Sequence, residues 1–90
     1  MDLTLGQVVY SKAGRDKGRK FIIVEIIDES YVMISDGDLR KIENAKRKKL
    51  KHLDVTGEVV LPLKEKLESK ARVSNSDIRK AIGVVENNTK

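Results

Sequence analysis

One stretch, Phe21-Ile22-Ile23-Val24-Glu25-Ile26-Ile27, is almost unbroken in its apolar character and narrows the possible folds more than any other. A strand with one face in water alternates apolar and polar residues. This stretch does not alternate, so both of its faces need cover. One face can point into a small closed sheet. The other needs a lid, and the C-terminal tail is the obvious source of one. A second apolar strand, Gln7-Val8-Val9-Tyr10-Ser11, precedes it, and between the two runs a loop punctuated by Gly14 and Gly18. The two strands read as a stiff hairpin with a flexible, cationic tip.

The remaining elements follow from turn signals and spacing. Strand one is expected over Gln7–Ala13 and strand two over Lys20–Ile27. Asp28-Glu29-Ser30 reads as a tight turn and Tyr31–Ser35 as strand three, with Val32 and Ile34 on one face and Tyr31, Met33 and Ser35 on the other. After the turn Asp36-Gly37-Asp38, a fourth strand is expected over Arg47–His52 and a fifth over Glu58–Leu61. Short strands at close spacing suggest a small closed sheet. From Pro62 onward the pattern turns helical. Leu63 and Leu67 support a short helix over Leu63–Lys70. Ser74 reads as the cap of a second helix, with Asp77 three residues on and an apolar stripe of Ile78, Ala81, Ile82 and Val85. Gly83 weakens that helix, and Glu86–Lys90 are expected to fray. The expected fold is mainly β with a C-terminal helix: residues 1–61 form the sheet and residues 62–90 the helical tail of the same domain.

Charge is polarised along the chain. Residues 11–20 carry Lys12, Arg15, Lys17, Arg19 and Lys20 against Asp16 alone. Residues 40–52 carry Arg40, Lys41, Lys46, Arg47, Lys48, Lys49 and Lys51 against Glu43 alone. These two segments hold a net +10 of a chain whose total is +5, which leaves −5 for the rest. Such a field attracts polyanions and orients them on one face. Cysteine is absent, which excludes a disulfide scaffold and a thiolate metal site. No apolar run is long enough to span a bilayer and the N-terminus carries no signal-peptide pattern, so no membrane partner and a cytoplasmic location are expected.

The loop between the first two strands has its own chemistry. Glycines admit positive φ and let backbone approach a ligand. Exposed N–H groups beside Arg15, Lys17, Arg19 and Lys20 suit phosphate oxygens. A plain hairpin turn accounts for the glycines equally well. A nucleotide P-loop is excluded, because no Lys-Ser/Thr follows Gly18 and no long helix starts there. Gly6–Ile27 resembles a KOW motif, a short hairpin of ribosomal and transcription-elongation proteins, with Gly18 in the place of its hallmark glycine. The wider stretch "SKAGRDKGRKFIIVEIIDESYVMISDG" followed by "KRKKLKHLDVT" resembles the ribosomal protein fourteen-e family of the archaeal and eukaryotic large subunit. Gly14-Arg15, Gly18, Val24–Asp28, Lys46–Lys49 and His52-Leu53-Asp54-Val55-Thr56 carry the likeness, and "SNSDIRKAI" resembles the family's capped helix. The segment Gly57–Arg72 has no clear counterpart, and a bacterial relative fits the likeness equally well. The resemblance implies a small SH3-like β-barrel of KOW type that binds ribosomal RNA without catalysis or cofactor.

The candidate RNA-binding residues are therefore Lys12, Gly14, Arg15, Lys17, Gly18, Arg19 and Lys20 from the loop, with Arg40, Lys41, Lys46, Arg47, Lys48, Lys49 and Lys51 from the second basic run. In a strand, Arg47, Lys49 and Lys51 would share an outward face, opposite Lys46, Lys48, Leu50 and His52. The same lysines would also guard an edge strand against aggregation. Tyr10 and Tyr31 suit either core packing or stacking on a base. His52 has no histidine, cysteine or serine partner that suggests catalysis. Asp36-Gly37-Asp38 lacks the length and closing Glu of a calcium loop. No nucleophile–base pair or metal cluster is legible. The expected partner is RNA, ribosomal first, bound by a monomer. The alternative is a protein-interaction module of the translation or transcription machinery, with ribosomal proteins as partners.

Overall fold

The apolar run and the strand before it pair as an antiparallel hairpin, β1 (Gln7–Ser11) with β2 (Lys20–Ile26), in the register Val8↔Ile22, Val9↔Phe21 and Tyr10↔Lys20. The computed structural model describes residues 3–88, of which 84–88 as backbone alone. β3 (Tyr31–Ser35), β4 (Lys46–Lys49) and β5 (Leu53–Val59) complete one antiparallel sheet of order β4-β3-β2-β1-β5. Two helices follow, α1 (Leu61–Glu68) and α2 (Asn75–Asn88).

That order forces the sheet to curl. β4 and β5 lie at opposite edges, yet one 3-10 turn, Leu50–His52, joins them. Four interstrand spacings would put the edges of a flat sheet roughly 19 Å apart. A single 3-10 turn climbs only about 2 Å per residue, or about 8 Å across this link. The sheet therefore coils into a small open barrel.

Coiling gives the sheet an inside and an outside, and both are filled. Inside lie Val9, Phe21, Ile23, Val32, Ile34 and Leu53. Outside lie Val8 and Ile22, roofed by Leu63 of α1 and by Ile78 and Ala81 of α2. Both faces of β2 are thus covered at Phe21–Ile23, and the helical tail is the lid. The cover ends before the apolar run does: Ile26 and Ile27 are exposed. A register shift between Ile23 and Glu25 accompanies that change.

The second helix is held as its sequence indicates. The Ser74 hydroxyl accepts from the Asp77 N–H at 3.1 Å and the Asp77 carboxylate accepts from the Ser74 N–H at 3.0 Å, a reciprocal cap. Ile78 and Ala81 are buried and Ile82 half-buried. The side chain of Val85 lies outside the described residues. α2 is helical to Asn88, beyond the point where fraying was expected, and residues 89–90 lie outside the described range.

Several boundaries differ from the sequence reading. β1 stops at Ser11, where the Ser11 hydroxyl donates to the Ala13 carbonyl at 3.0 Å and turns the chain. β4 stops at Lys49 rather than His52, because the Leu50 N–H donates to the Ser30 carbonyl and the His52 carbonyl accepts from the Lys12 N–H, both at 2.8 Å. β5 begins at Leu53, not Glu58, and pairs Leu53 with Ser11 and Val59 with Gln7. α1 starts at Leu61, since Pro62 fits a first helical turn, where its missing N–H is not needed. It ends at Glu68, and Lys70 follows in a left-handed conformation with φ 59°.

Candidate nucleic-acid interface

The hairpin tip is built by its own backbone. Ser11 and Arg19 stay in ladder contact through a 3.1 Å bond, and the Gly18 N–H donates to the Ser11 carbonyl at 2.7 Å. Between them Gly14–Asp16 form a 3-10 turn. Gly14 and Gly18 have φ of +76° and +85°, and a Cβ on either would meet nothing within 4 Å. Conformation is therefore what requires glycine at both positions. Gly14, Arg15, Lys17 and Gly18 are exposed, so the tip faces solvent.

Two aspartates tie this tip to the second basic run. Asp36 is almost fully buried and accepts from the Arg19 guanidinium at 2.6 Å, from the Asp38 N–H at 2.9 Å and from the Arg40 N–H at 2.8 Å. Burial pushes its carboxyl up, but the Arg19 hydrogen bond and the two N–H donors together outweigh that and hold it below the usual carboxylate range. Asp16, on the tip itself, lies 3.6 Å from the Lys46 ammonium and 4.0 Å from the Arg40 guanidinium. The two basic segments, far apart in sequence, thus meet around Asp16. These two contacts are long and their cations are part-exposed, so each is worth about 0–1 kcal/mol.

From Asp16 the cations continue along β4, the edge strand. Its register, Tyr31↔Lys49, Met33↔Arg47 and Ile34↔Lys46, sends Arg47 and Lys49 outward, where both are exposed. Lys46 and Lys48 point to the inner side opposite Ile34 and Val32 and are half-buried. Lys51 is not the third rung of that ladder. It sits on the Leu50–His52 turn, because the strand ends before it. Tyr31 lies under two of the outward cations, with Arg47 Cζ 5.0 Å and Lys49 Nζ 5.8 Å from the ring centre. Lys20 Nζ lies 5.6 Å from the ring centre of Tyr10.

The expected site residues therefore fall into two groups. Among the described residues, Arg15, Lys17, Lys20, Lys41, Arg47, Lys48, Lys49 and Lys51 make no ion pair. Arg40 and Lys46 share Asp16, and Lys12 lies 3.9 Å from Asp54 in an exposed pair. Arg19 is committed to Asp36 and Asp38 and acts as a strut of the fold. Sequence reading passed over Asp16 and Asp36 as organisers. A lone acid inside a basic loop was the available signal for the first; nothing marked the second beyond its turn. Among the described residues, no cluster of three or more His, Cys, Asp or Glu is placed to hold a metal ion, and no helix is long and apolar enough to cross a membrane.

A curled antiparallel sheet with a helical roof, carrying a cationic hairpin tip joined to a cationic edge strand, defines a class: small β domains that present one basic face. No family model matches the chain. Individual relatives do. It is 33% identical over 89 residues to the large ribosomal subunit protein eL14 of Pyrobaculum aerophilum, covering 93% of this chain and 78% of that protein. It is 31% identical over 87 residues to the eL14 of Pyrobaculum calidifontis, with the same coverage, and 31% identical over 83 residues to that of Desulfurococcus amylolyticus, covering 90% and 77%. The chain belongs to the family of large ribosomal subunit protein eL14. The matched span takes in 93% of this chain and so encloses Gly57–Arg72. It is a family of ribosomal subunit proteins, and the chain is not an enzyme.

Proposed function

We propose that this protein binds ribosomal RNA as a component of the large ribosomal subunit, through one basic surface made by the hairpin tip and β4. The observation that supports the reading is the meeting of the two cationic segments at Asp16, which Arg40 and Lys46 approach from the second segment and Arg15 and Lys17 flank in the first. Family membership supplies the partner: the relatives are named as proteins of the large subunit. On this reading the protein acts in the cytoplasm, one copy at a time, and without a cofactor. Phosphate contacts dominate its affinity, so binding falls steeply with salt.

Replacing Arg15 and Lys17 together by alanine tests the site. Removing two phosphate contacts should lower the slope of log K against log salt by about 2 on duplex RNA. It should also weaken binding without altering the fold, since neither side chain is paired. Unchanged affinity and slope would remove the tip from the interface. A second reading, a protein contact, is favoured by one observation. A cleft of about 880 Å³ with Leu3, Ile26, Leu50, Leu53 and Val55 in its lining lies between the β2–β3 turn and β5. Retention of a protein partner after RNase treatment and in high salt supports it.

A further inference from the structure

We infer that Tyr31, with Arg47 and Lys49, forms a stacking platform for an unpaired nucleobase, so that the RNA bound here presents a single-stranded or splayed-out nucleotide beyond the duplex held by the hairpin tip. The inference rests on the RNA-binding reading and sharpens it. Helices α1 and α2 roof the outer face of the sheet over Val8 and Ile22. They do not reach its other end, where Tyr31 stays half-buried and borders an open cleft of about 480 Å³ with Ser30, Leu50, Lys49 and Lys51.

The ring is pre-positioned. The Asp28 carboxylate accepts the N–H groups of Ser30 and Tyr31 at 2.7 and 2.9 Å and fixes the turn that starts β3. The Ser30 carbonyl accepts from Leu50 at 2.8 Å, which locks the same turn to the end of β4. Arg47 and Lys49 project from the partner strand over the ring. Neither makes an ion pair among the described residues. A planar guanidinium lying over a tyrosine face suits a base plane, which stacks on the guanidinium or takes its place on the ring, and the ammonium suits the phosphate of the same nucleotide. One acid, Glu29, borders the cleft, against Lys49 and Lys51.

Tyr10 lacks this arrangement. In its cleft Arg19 is paired with Asp36 and Asp38, and the Arg79 guanidinium already donates to the Gly37 carbonyl at 2.6 Å, which leaves Lys20 alone over the ring. Tyr31 and Ser35 stand at opposite ends of β3, roughly 13 Å apart at the usual rise per residue. The platform therefore lies at the end of the sheet away from the hairpin tip, so an RNA that engages both spans the length of β3.

The chain has two tyrosines and no tryptophan, so a Tyr10→Phe variant makes Tyr31 the sole strong emitter. In that variant a short oligoadenylate should quench the emission, whereas inorganic polyphosphate, which brings charge without bases, should not. Tyr31→Leu should weaken oligoadenylate binding about ten-fold and leave a fully paired duplex within about two-fold, while Tyr31→Phe keeps both affinities. Equal quenching by polyphosphate overturns the platform, as does equal loss of both RNAs in a folded Tyr31→Leu. Loss of duplex binding in the Arg15/Lys17 double variant, with Tyr31→Leu silent, removes the platform and leaves the RNA reading intact. Failure of the unmodified protein to bind either RNA removes both.

Discussion

Asp36 shows how one carboxylate organises a basic surface. It is buried, yet it stays ionised because Arg19 and two backbone N–H groups face it. Its folded-state pKa lies below that of an unfolded aspartate, near 3.9. The unfolded chain therefore takes up this proton first as pH falls, and stability contributed in full above about pH 4 is lost as pH drops through the folded value. Asp36→Asn removes the charge but keeps the shape. We expect it to destabilise the protein by about 2–3 kcal/mol at pH 7, because a half-exposed guanidinium loses its partner and two N–H groups lose a charged acceptor. The gap between mutant and native protein should close at acid pH. Urea titrations at a series of pH values from 7 downward measure it, and a gap that does not narrow at all as pH falls through the unfolded aspartate value, about 3.9, would exclude the ion pair as its source. None of this was legible in the sequence. Asp36-Gly37-Asp38 announces a turn, and a turn does not say that its first residue will be buried against an arginine 17 positions earlier.

Among the elements, those fixed by local pattern are legible in the sequence. The apolar run of β2, the alternation of β3 and the Ser74–Asp77 cap each depend on neighbours within a few residues; the last two have their expected form, and the first is covered on both faces over Phe21–Ile23 but not at Ile26 and Ile27. The β4–β5 corner depends on distant partners. Leu50 turns away from its strand because Ser30 offers it a carbonyl, and Leu53–Val59 becomes a strand because β1 lies open beside it. The alternation of buried Leu53, exposed Asp54 and half-buried Val55 was present in the sequence and was absorbed into a family motif instead. The docking of α2 is equally non-local. Asn75 accepts from the Ile42 N–H at 2.7 Å and donates to Glu43 at 2.8 Å, and Gly37 lies so close that a Cβ would meet the Asn75 carbonyl. Ile78, fully buried under this roof, is its anchor. Ile78→Ala should cost about 2–5 kcal/mol. A loss below about 1 kcal/mol in a denaturant titration would mean that α2 packs only loosely.

For the whole molecule, the two apolar clusters share one sheet, so neither is complete alone. A chain ending at Val60 keeps all five strands but strips the roof from Val8 and Ile22. We expect it to lose cooperative thermal unfolding and to bind hydrophobic dyes. A sharp melt near the native midpoint would show instead that the barrel interior suffices. The candidate site was partly legible at this scale. Composition placed the charge in two segments, but only the curl of the sheet brings them together at Asp16 and leaves Tyr31 beyond the roof.

The pairing of β1 with β5 joins Gln7 to Val59, and it has a cost in time. At roughly 5–20 residues per second of synthesis, about 3–10 s separate the emergence of one strand from that of its neighbour. Throughout that interval a nascent chain carries an unpaired, apolar strand edge beside its cationic tip, two features that invite aggregation and indiscriminate contact with nucleic acid. The last strand to be made is the one that ends this exposure, so the edge of β1 waits for β5 although its hairpin with β2 can form early.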